Sequence, residues 1–515
     1  MKNKKYFWSF LITMLLVISC QDLEENPKGL LSPDAFFTTE ADLNSAVTAS
    51  YRTLYQMFDE INRQPWSWAS DEFTSHNTGN KGSLLDFDLF RLKSNVPTDT
   101  DIINRQVWSQ QFKGIQTANN VLANVDNVKT TDEVKKIAKG EARFIRALSY
   151  FFLVRMFNQA PLITETSEVT GKEFSASNSA IYDLIIADLI FARDNLPATP
   201  PTSEPGRVDR YGAQALLSLV YLQSAGFPLK RTENYAKAAG EAQNVIQNSG
   251  HGLESDFAEL WQGSGSDGNN EHVFAVSFCG SCAEWSGLVN YRNESVAFSD
   301  AEGGWDEYYS EITFFNEFPE SYRKDITFRT RIYEGLLDNK GDTTKTVNKD
   351  WRDAARGHPY FQKIDNRPLK NRVKTDIGTN VAIIRFAEVL LIYAEAQAMS
   401  NGGIPNTQAI EYVNKVRRRA NKLDINTPNS TIDVTPSEES DFLNTVLNER
   451  AWELAAEFSR WFDLVRNEKV EEVMARRSTD PAELPLFTSP NKEDHYFFPL
   501  RLSDVSANPN LKTIK

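Results

Sequence analysis

Acidic side chains beside aromatic ones are the first feature of this chain that could do chemistry. Asp71 and Glu72 follow Trp66 and Trp68, and Glu302, Asp306 and Glu307 surround Trp305, Tyr308 and Tyr309. Two carboxyl groups a few ångström apart, one protonated and one ionised, are the equipment of glycoside hydrolysis. Flat rings next to Asn, Asp, Glu and Arg suit a different task, the binding of sugars. A ring covers much apolar area at small entropic cost, and its polar neighbours bond hydroxyl groups. With 70 acids in the chain, paired carboxylates arise by chance, so the rings carry the argument. They nominate a ligand surface containing Trp66, Trp68, Asp71, Trp285, Tyr291, Trp305 and Tyr308, with Phe298 and Tyr309 in the same clusters. Each ring taken singly also fits the core of its own loop; at least two of the set are expected to meet ligand.

Other chemistries find little support. Gly263-Ser264-Gly265-Ser266-Asp267-Gly268 matches GxGxxG, but a strand-like run follows it where a dinucleotide site requires a helix. There is no GxxxxGK[ST], HExxH or GxSxG motif, and His76, His251, His272, His358 and His495 are far apart in sequence. Cys279 and Cys282 form one CxxC with neither a second CxxC nor a His pair, which fits a local disulfide or two free thiols better than zinc or redox catalysis. No metal, cofactor or catalytic residue is expected.

The elements that must hold the rings are helical. Leu43, Val47, Tyr51 and Leu54 make one stripe between Glu40 and Met57; Trp108, Phe112, Ile115, Ala118, Leu122 and Val125 make another; and Glu141 to Phe157 is apolar on more than one side. Two helix–turn–helix units follow, one from Arg210 to Asn248 and one from Arg385 to Asn421. Each is close to the ~34-residue period of tetratricopeptide repeats, with Ala where helices approach. Phe257 to Asn380 has no sustained helical stripe and includes a strand-like run, His272 to Phe278. The fold class expected is therefore mostly α, a tetratricopeptide-like hairpin scaffold with a loop-rich, partly β insertion. Its divisions are a signal peptide over 1–19, a helical region over 20–256, the insertion and candidate ligand face over 257–380, and a last repeat with a closing helix over 381–515.

Lys2, Lys4 and Lys5 precede the apolar run Tyr6 to Ile18, the layout of a secretory signal and too short to span a bilayer comfortably. Leu16-Val17-Ile18-Ser19-Cys20 resembles a bacterial lipobox, which implies a lipid on Cys20; Asp22, Glu24 and Glu25 resemble the surface-export signal of Bacteroides-type lipoproteins. With 56 basic against 70 acidic residues the chain carries a formal charge of -14. Nucleic acid is excluded as an expected partner, because phosphates need a basic face.

The assembled features resemble the SusD/RagB family across nearly the whole chain. The similar segments are Asn26-Pro27, Phe36 to Leu43, Asn119-Asn120-Val121-Leu122, Glu141 to Phe151, Arg385 to Gln397 and, most strongly, Asn448 to Arg466, followed by Phe498-Pro499-Leu500 and Asn508 to Leu511. Within Asn448–Arg466 the pairs Arg450/Glu453, Glu457/Arg460 and Asp463/Arg466 are spaced i,i+3, and Leu454, Phe458, Trp461 and Leu464 form a stripe, so one structural helix is expected. Ala456-Glu457-Phe458 departs from the family's more usual Phe-Glu-Gly, and the common Gln-Asn-Pro-Gly-Tyr ending is lacking. The resemblance implies a non-catalytic lipoprotein, anchored in the outer membrane and exposed at the cell surface. It would capture an oligosaccharide and deliver it to a SusC-like TonB-dependent transporter. Rival readings are a peptide cargo, a protein–protein adaptor and, least supported, a surface glycosidase.

Overall fold

The computed structural model of the chain describes residues 36–58, 65–76, 82–91, 107–201, 203–262, 268–278, 308–335, 346–363, 380–500 and 502–511. Its framework is a run of helices: α1 (Glu40–Phe58), α2 (Ser109–Asn124), α3 (Asp132–Phe157), α4 (Asn178–Asn195), α5 (Arg210–Ala225), α6 (Asn234–Asn248), α7 (Phe386–Ser400) and α8 (Thr407–Ala420). Each long helix has the stripe its sequence requires, and several begin where a side chain satisfies an orphan N–H. Thr131, Ser177, Asp209 and Asn406 cap α3, α4, α5 and α8 in this way. At α1, Thr39 Oγ1 accepts from the Asp42 amide while Asp42 Oδ2 accepts from the Thr39 amide, a reciprocal pair.

Packing runs in sequence order. Helix α3 lies between α2 and α4, α5 between α4 and α6, and α6 against α7, which pairs with α8. The two hairpin units therefore stack on each other through α6 and α7. Small residues allow the approach: Ala213, Ala215, Ala238, Ala242, Ala387, Ala394 and Ala396 are all fully buried. The strand-like run is a strand, β2 (His272–Val276), paired antiparallel with β4 (Val381–Arg385), which leads directly into α7. A second short ladder joins β1 (Phe73–Thr74) to β3 (Tyr309–Ser310).

The expected single helix over Asn448–Arg466 is two: α9 (Phe442–Glu453) and α10 (Arg460–Arg466). Between them Ala456 and Phe458 take positive φ, 59° and 65°. Of the three i,i+3 pairs only Asp463–Arg466 forms, at 2.8 Å. The other charges reach partners in distant elements. Glu453 accepts from Arg323 and Arg385, each at 2.6 Å, and from Arg419. Glu457 takes Arg385 and Lys363, and Arg450 bridges Glu388 and Asp463. Apart from the partly exposed Glu457, these acids and arginines are removed from water, where a charge is tolerable only with hydrogen-bonded counter-charges on several sides. A surface helix would supply one partner each; the break supplies more.

Helix α5 ends against α10. A Cβ on Gly226 would lie 2.5 Å from the Arg466 carbonyl oxygen, which also accepts from the Phe227 amide at 2.9 Å. Gly226→Ala is therefore expected to destabilise the protein by about 1–3 kcal/mol through overpacking, read as a lower urea midpoint. An unchanged midpoint would mean that the turn and α10 separate freely.

Candidate functional site

The β1–β3 ladder brings together two aromatic stretches that the sequence keeps far apart. Phe73 faces Ser310 and Thr74 faces Tyr309, so the chain leaving β1 toward His76 and the chain entering β3 from Tyr308 run side by side. Trp68, Phe73 and Tyr308 form one ring cluster with centroids 5.1–5.8 Å apart. Phe73 also packs on Phe361 at 4.8 Å. Above it, the Tyr309 ring stacks on His358 at 5.5 Å and meets the edge of Tyr360 at 5.0 Å.

This placement corrects part of the nominated ligand surface. Trp66, Trp68 and Tyr308 are 1%, 0% and 0% exposed; they are the foundation under the ladder rather than a platform for sugar. Trp66 packs on Phe152 and Phe462 and donates its Nε1 hydrogen to the Phe458 carbonyl at 2.8 Å. Large rings gain most by complete burial when a buried acceptor meets their polar atom, as at Trp66. Asp71 is corrected as well: both its oxygens accept from Arg460, at 2.8 Å each, in a bidentate pair. Trp285, Tyr291 and Trp305, with Phe298, Glu302, Asp306, Glu307, Cys20, Cys279 and Cys282, lie outside the described residues.

Nor do Asp71 and Glu72 make an acid–base pair open to substrate. Glu72 is 1% exposed and its carboxyl oxygens have no hydrogen-bond partner among the described residues. Burial, reinforced by the Asp71 charge, pushes its pKa well above the usual carboxylate range. A deeper acid cluster underlies the ladder. Arg477 Nη1 donates to Asp88 at 2.6 Å and Glu311 at 2.8 Å, and its Nη2 to Glu483 at 3.1 Å and Thr74 Oγ1 at 3.2 Å. Thr74 Oγ1 donates in turn to Asp88, and the Ile312 amide to Glu483. Burial raises Glu311 well above its ordinary pKa and also raises Glu483, in both cases against the pull of Arg477. Arg477 thus faces three buried carboxyl groups, and His358 Nδ1 lies 4.0 Å from Glu483.

One feature was not legible as a site in the sequence. Tyr51, Leu54 and Tyr55 of α1, Arg207, and Phe274 to Ser277 line an open groove of about 310 Å³. The Phe278 ring closes on Tyr55 at 5.2 Å, and its amide is held by Asn380 Oδ1 at 3.0 Å. Tyr51 is structural here, since its hydroxyl donates to Glu141 and accepts from the Val208 amide. The signal available was the i,i+4 spacing of Tyr51 and Tyr55, which reads equally as core. Phe278, beside this groove, and Tyr308, on the Trp68 cluster, are the described residues that bracket positions 279–307.

Comparison with known proteins agrees along the chain. Residues 289–514 match the model of the SusD family, and residues 30–222 match a model described as starch-binding, associating with outer membrane. Among curated proteins, SusD-like protein P2 of Formosa agariphila is 28% identical over 527 residues, covering 99% of this chain and 98% of the relative. A SusD-like protein of Bacteroides ovatus is 25% identical, covering 88% and 80%. Among solved structures, a SusD superfamily protein from Parabacteroides distasonis superposes with a TM-score of 0.75 at 24% identity, covering 92% of this chain and 98% of that one. A laminarin-binding SusD-like protein superposes at 0.71 and 21% identity, covering 93% and 99%. Sequence, helical-hairpin architecture and both halves of the chain converge: the protein belongs to the SusD/RagB family.

Proposed function

We propose that this protein is a cell-surface glycan-binding lipoprotein that captures an oligosaccharide and passes it, without cleavage, to a SusC-like TonB-dependent transporter. The observation that carries this reading is the bracketing of the aromatic-rich stretch 279–307 by two ring clusters of the core, Tyr55–Phe278 and Trp68–Phe73–Tyr308. In the proposal Trp285, Tyr291 and Trp305 supply the sugar-stacking rings, and the segment 257–380 the ligand face. The family description associating with outer membrane, and a laminarin-binding protein of the same fold, support a glycan cargo and a membrane setting. Lipid on Cys20 is the proposed tether; among the described residues no helix is long and apolar enough to cross a membrane.

Titration calorimetry of the protein lacking residues 1–20 against plant, host and microbial oligosaccharides, with mixed peptides alongside, tests this. Heat is expected with one glycan class. Trp285→Ala or Trp305→Ala is expected to weaken binding by about tenfold or more, the equivalent of about 1.4 kcal/mol for a lost ring contact. No heat with any glycan while a peptide binds would overturn the sugar cargo. Hydrolysis of a bound glycan would overturn its passage uncleaved.

A further inference from the structure

His358 has an acceptor at each of its ring nitrogens. The side chain is 1% exposed. Its Nδ1 lies 3.1 Å from the Ser310 carbonyl oxygen in β3, and its Nε2 lies 3.1 Å from the Ala482 carbonyl oxygen. A carbonyl oxygen only accepts, and a neutral imidazole carries one N–H. Either neutral tautomer therefore leaves a buried carbonyl oxygen facing a nitrogen lone pair at hydrogen-bond distance, where neither atom is satisfied. Turning the ring over exchanges Nδ1 for Cδ2 and Nε2 for Cε1, which presents carbon to both carbonyls. Only the imidazolium, with two N–H groups, donates to both. His495 gives the contrast: its Nδ1 accepts from the Asn491 amide at 3.1 Å, so that nitrogen carries no proton.

The neighbours suit a positive ring. Glu483 Oε2 lies 4.0 Å from Nδ1, and the Tyr309 ring stacks on the imidazole at 5.5 Å, an arrangement that favours a cation. Arg477, the nearby like charge, is held on the other oxygen of Glu483, at 3.1 Å, and on Glu311 and Asp88. The remaining titratable groups on this side are His76 and Tyr360, which meet the Tyr309 ring at 6.2 and 5.0 Å.

Three stretches of chain converge on this ring. The Ser310 amide donates to the Pro359 carbonyl at 3.0 Å, so β3 and the His358 stretch are tied in both directions. The Ile312 amide donates to Glu483 at 3.1 Å. Gly357 comes so close to Ala482 that a Cβ on it would lie 2.8 Å from the Ala482 side chain.

We propose that His358 is an imidazolium in the folded protein and acts as a pH-sensitive clamp, tying β3 to the segment of Ala482 and Glu483 while it keeps both ring protons. Loss of the second proton removes the donor to one carbonyl together with the charge opposite Glu483. The clamp then loosens beneath the ladder that carries Tyr308 and Tyr309.

Histidine-selective 15N labelling reads the proton count on the ring directly. At about pH 7 both His358 nitrogens are expected to show the shifts of protonated imidazole nitrogens, assigned by the signals that vanish in His358→Gln. Melting temperatures of both proteins are measured in parallel from about pH 6 to about pH 10. The variant carries no ring charge and should melt about 2–4 °C lower at the acid end. A group charged in the folded state contributes stability that is full below the unfolded histidine's pKa of about 6.5 and is lost as pH rises. The gap should therefore narrow on alkalinisation, over the range in which the NMR signals report loss of the second proton. One unprotonated ring nitrogen at about pH 7 overturns the proposal. So does a gap that takes no notice of that proton's loss, which would mark packing alone. Should His358→Gln fail to fold, the signals are assigned from variants of His76, His251, His272 and His495, and the proton count on His358 in the unaltered protein decides.

Discussion

Glu453→Gln is expected to cost the protein roughly 3–5 kcal/mol, the range found when one partner is removed from a buried ion pair. Glu453 is 0% exposed and is the shared acceptor of Arg323, Arg385 and Arg419. These arginines come from a helix at Tyr322–Thr327, from the start of α7 and from the end of α8. Arg385 and Arg419 also share Glu271, which precedes β2. Amide for carboxylate keeps the shape and removes the charge, so the loss reports electrostatics rather than a cavity. Three guanidinium groups would then depend on Glu271, Glu449 and Glu457 alone. The pH dependence follows from the same contacts. The surrounding guanidiniums hold the Glu453 carboxyl far below its ordinary pKa despite burial. A depressed carboxyl contributes stability that is present above its unfolded pKa and is lost as pH falls toward the folded value. The gap between wild type and variant should therefore be full at pH 7 and narrow steadily below about pH 5. Urea unfolding at several pH values measures both. A gap that stays constant down to acid pH would show that Glu453 contributes packing and not charge.

Arg477→Met should produce a loss of similar size that also closes in acid, here because the variant regains stability and not because wild type loses it. Removing the guanidinium leaves Asp88, Glu311 and Glu483 facing one another at 1%, 1% and 5% exposure, and the uncompensated charge costs roughly 3–5 kcal/mol. Here burial already raises the Glu311 and Glu483 pKa values. For a raised carboxyl the stability is complete below the unfolded pKa and is lost as pH rises through the folded one. Deleting the cation pushes these groups up further, so the variant should be least stable at neutral and alkaline pH and recover toward wild type as the acids take up protons. Arg477 also holds Thr74 of β1, and Glu311 follows β3. Glycan affinity should therefore fall together with stability, and both should return on acidification. Loss of stability with unchanged affinity would mean that the ladder does not support the ligand face.

The family resemblance sharpens one local feature. Where the family more usually has Phe-Glu-Gly, this chain has Ala456-Glu457-Phe458, and Phe458 takes φ of 65°. That is the left-handed region in which glycine is at ease and a bulky L residue is strained by about 1–2 kcal/mol. The same residue offers its carbonyl to Trp66 and its partly buried ring to the core. The conformation survives because packing and a hydrogen bond on both sides over-determine it.

Much of the scaffold was decided by local sequence. Helix α6 runs from Asn234 to Asn248, the bounds given by its own stripe and flanking residues, and α5 opens at Arg210 behind the Asp209 cap. Apolar spacing at three and four residues is a property of neighbours along the chain, so helices, turns and the hairpin pattern can be read without knowing the fold. The strand at His272 was visible for the same reason. The tertiary structure alone decided which rings are foundation and which charges pair. Nothing near Trp68 in sequence reveals that Tyr308 will close over it, because β1 and β3 meet across more than two hundred residues. The i,i+3 pattern in Asn448–Arg466 is a true local regularity, yet Glu457 and Arg460 turn away from each other toward Arg385 and Asp71. Exposed charges pair weakly with whatever lies a turn away. Buried ones need partners on every side to offset the loss of water, and those partners are supplied by the whole fold.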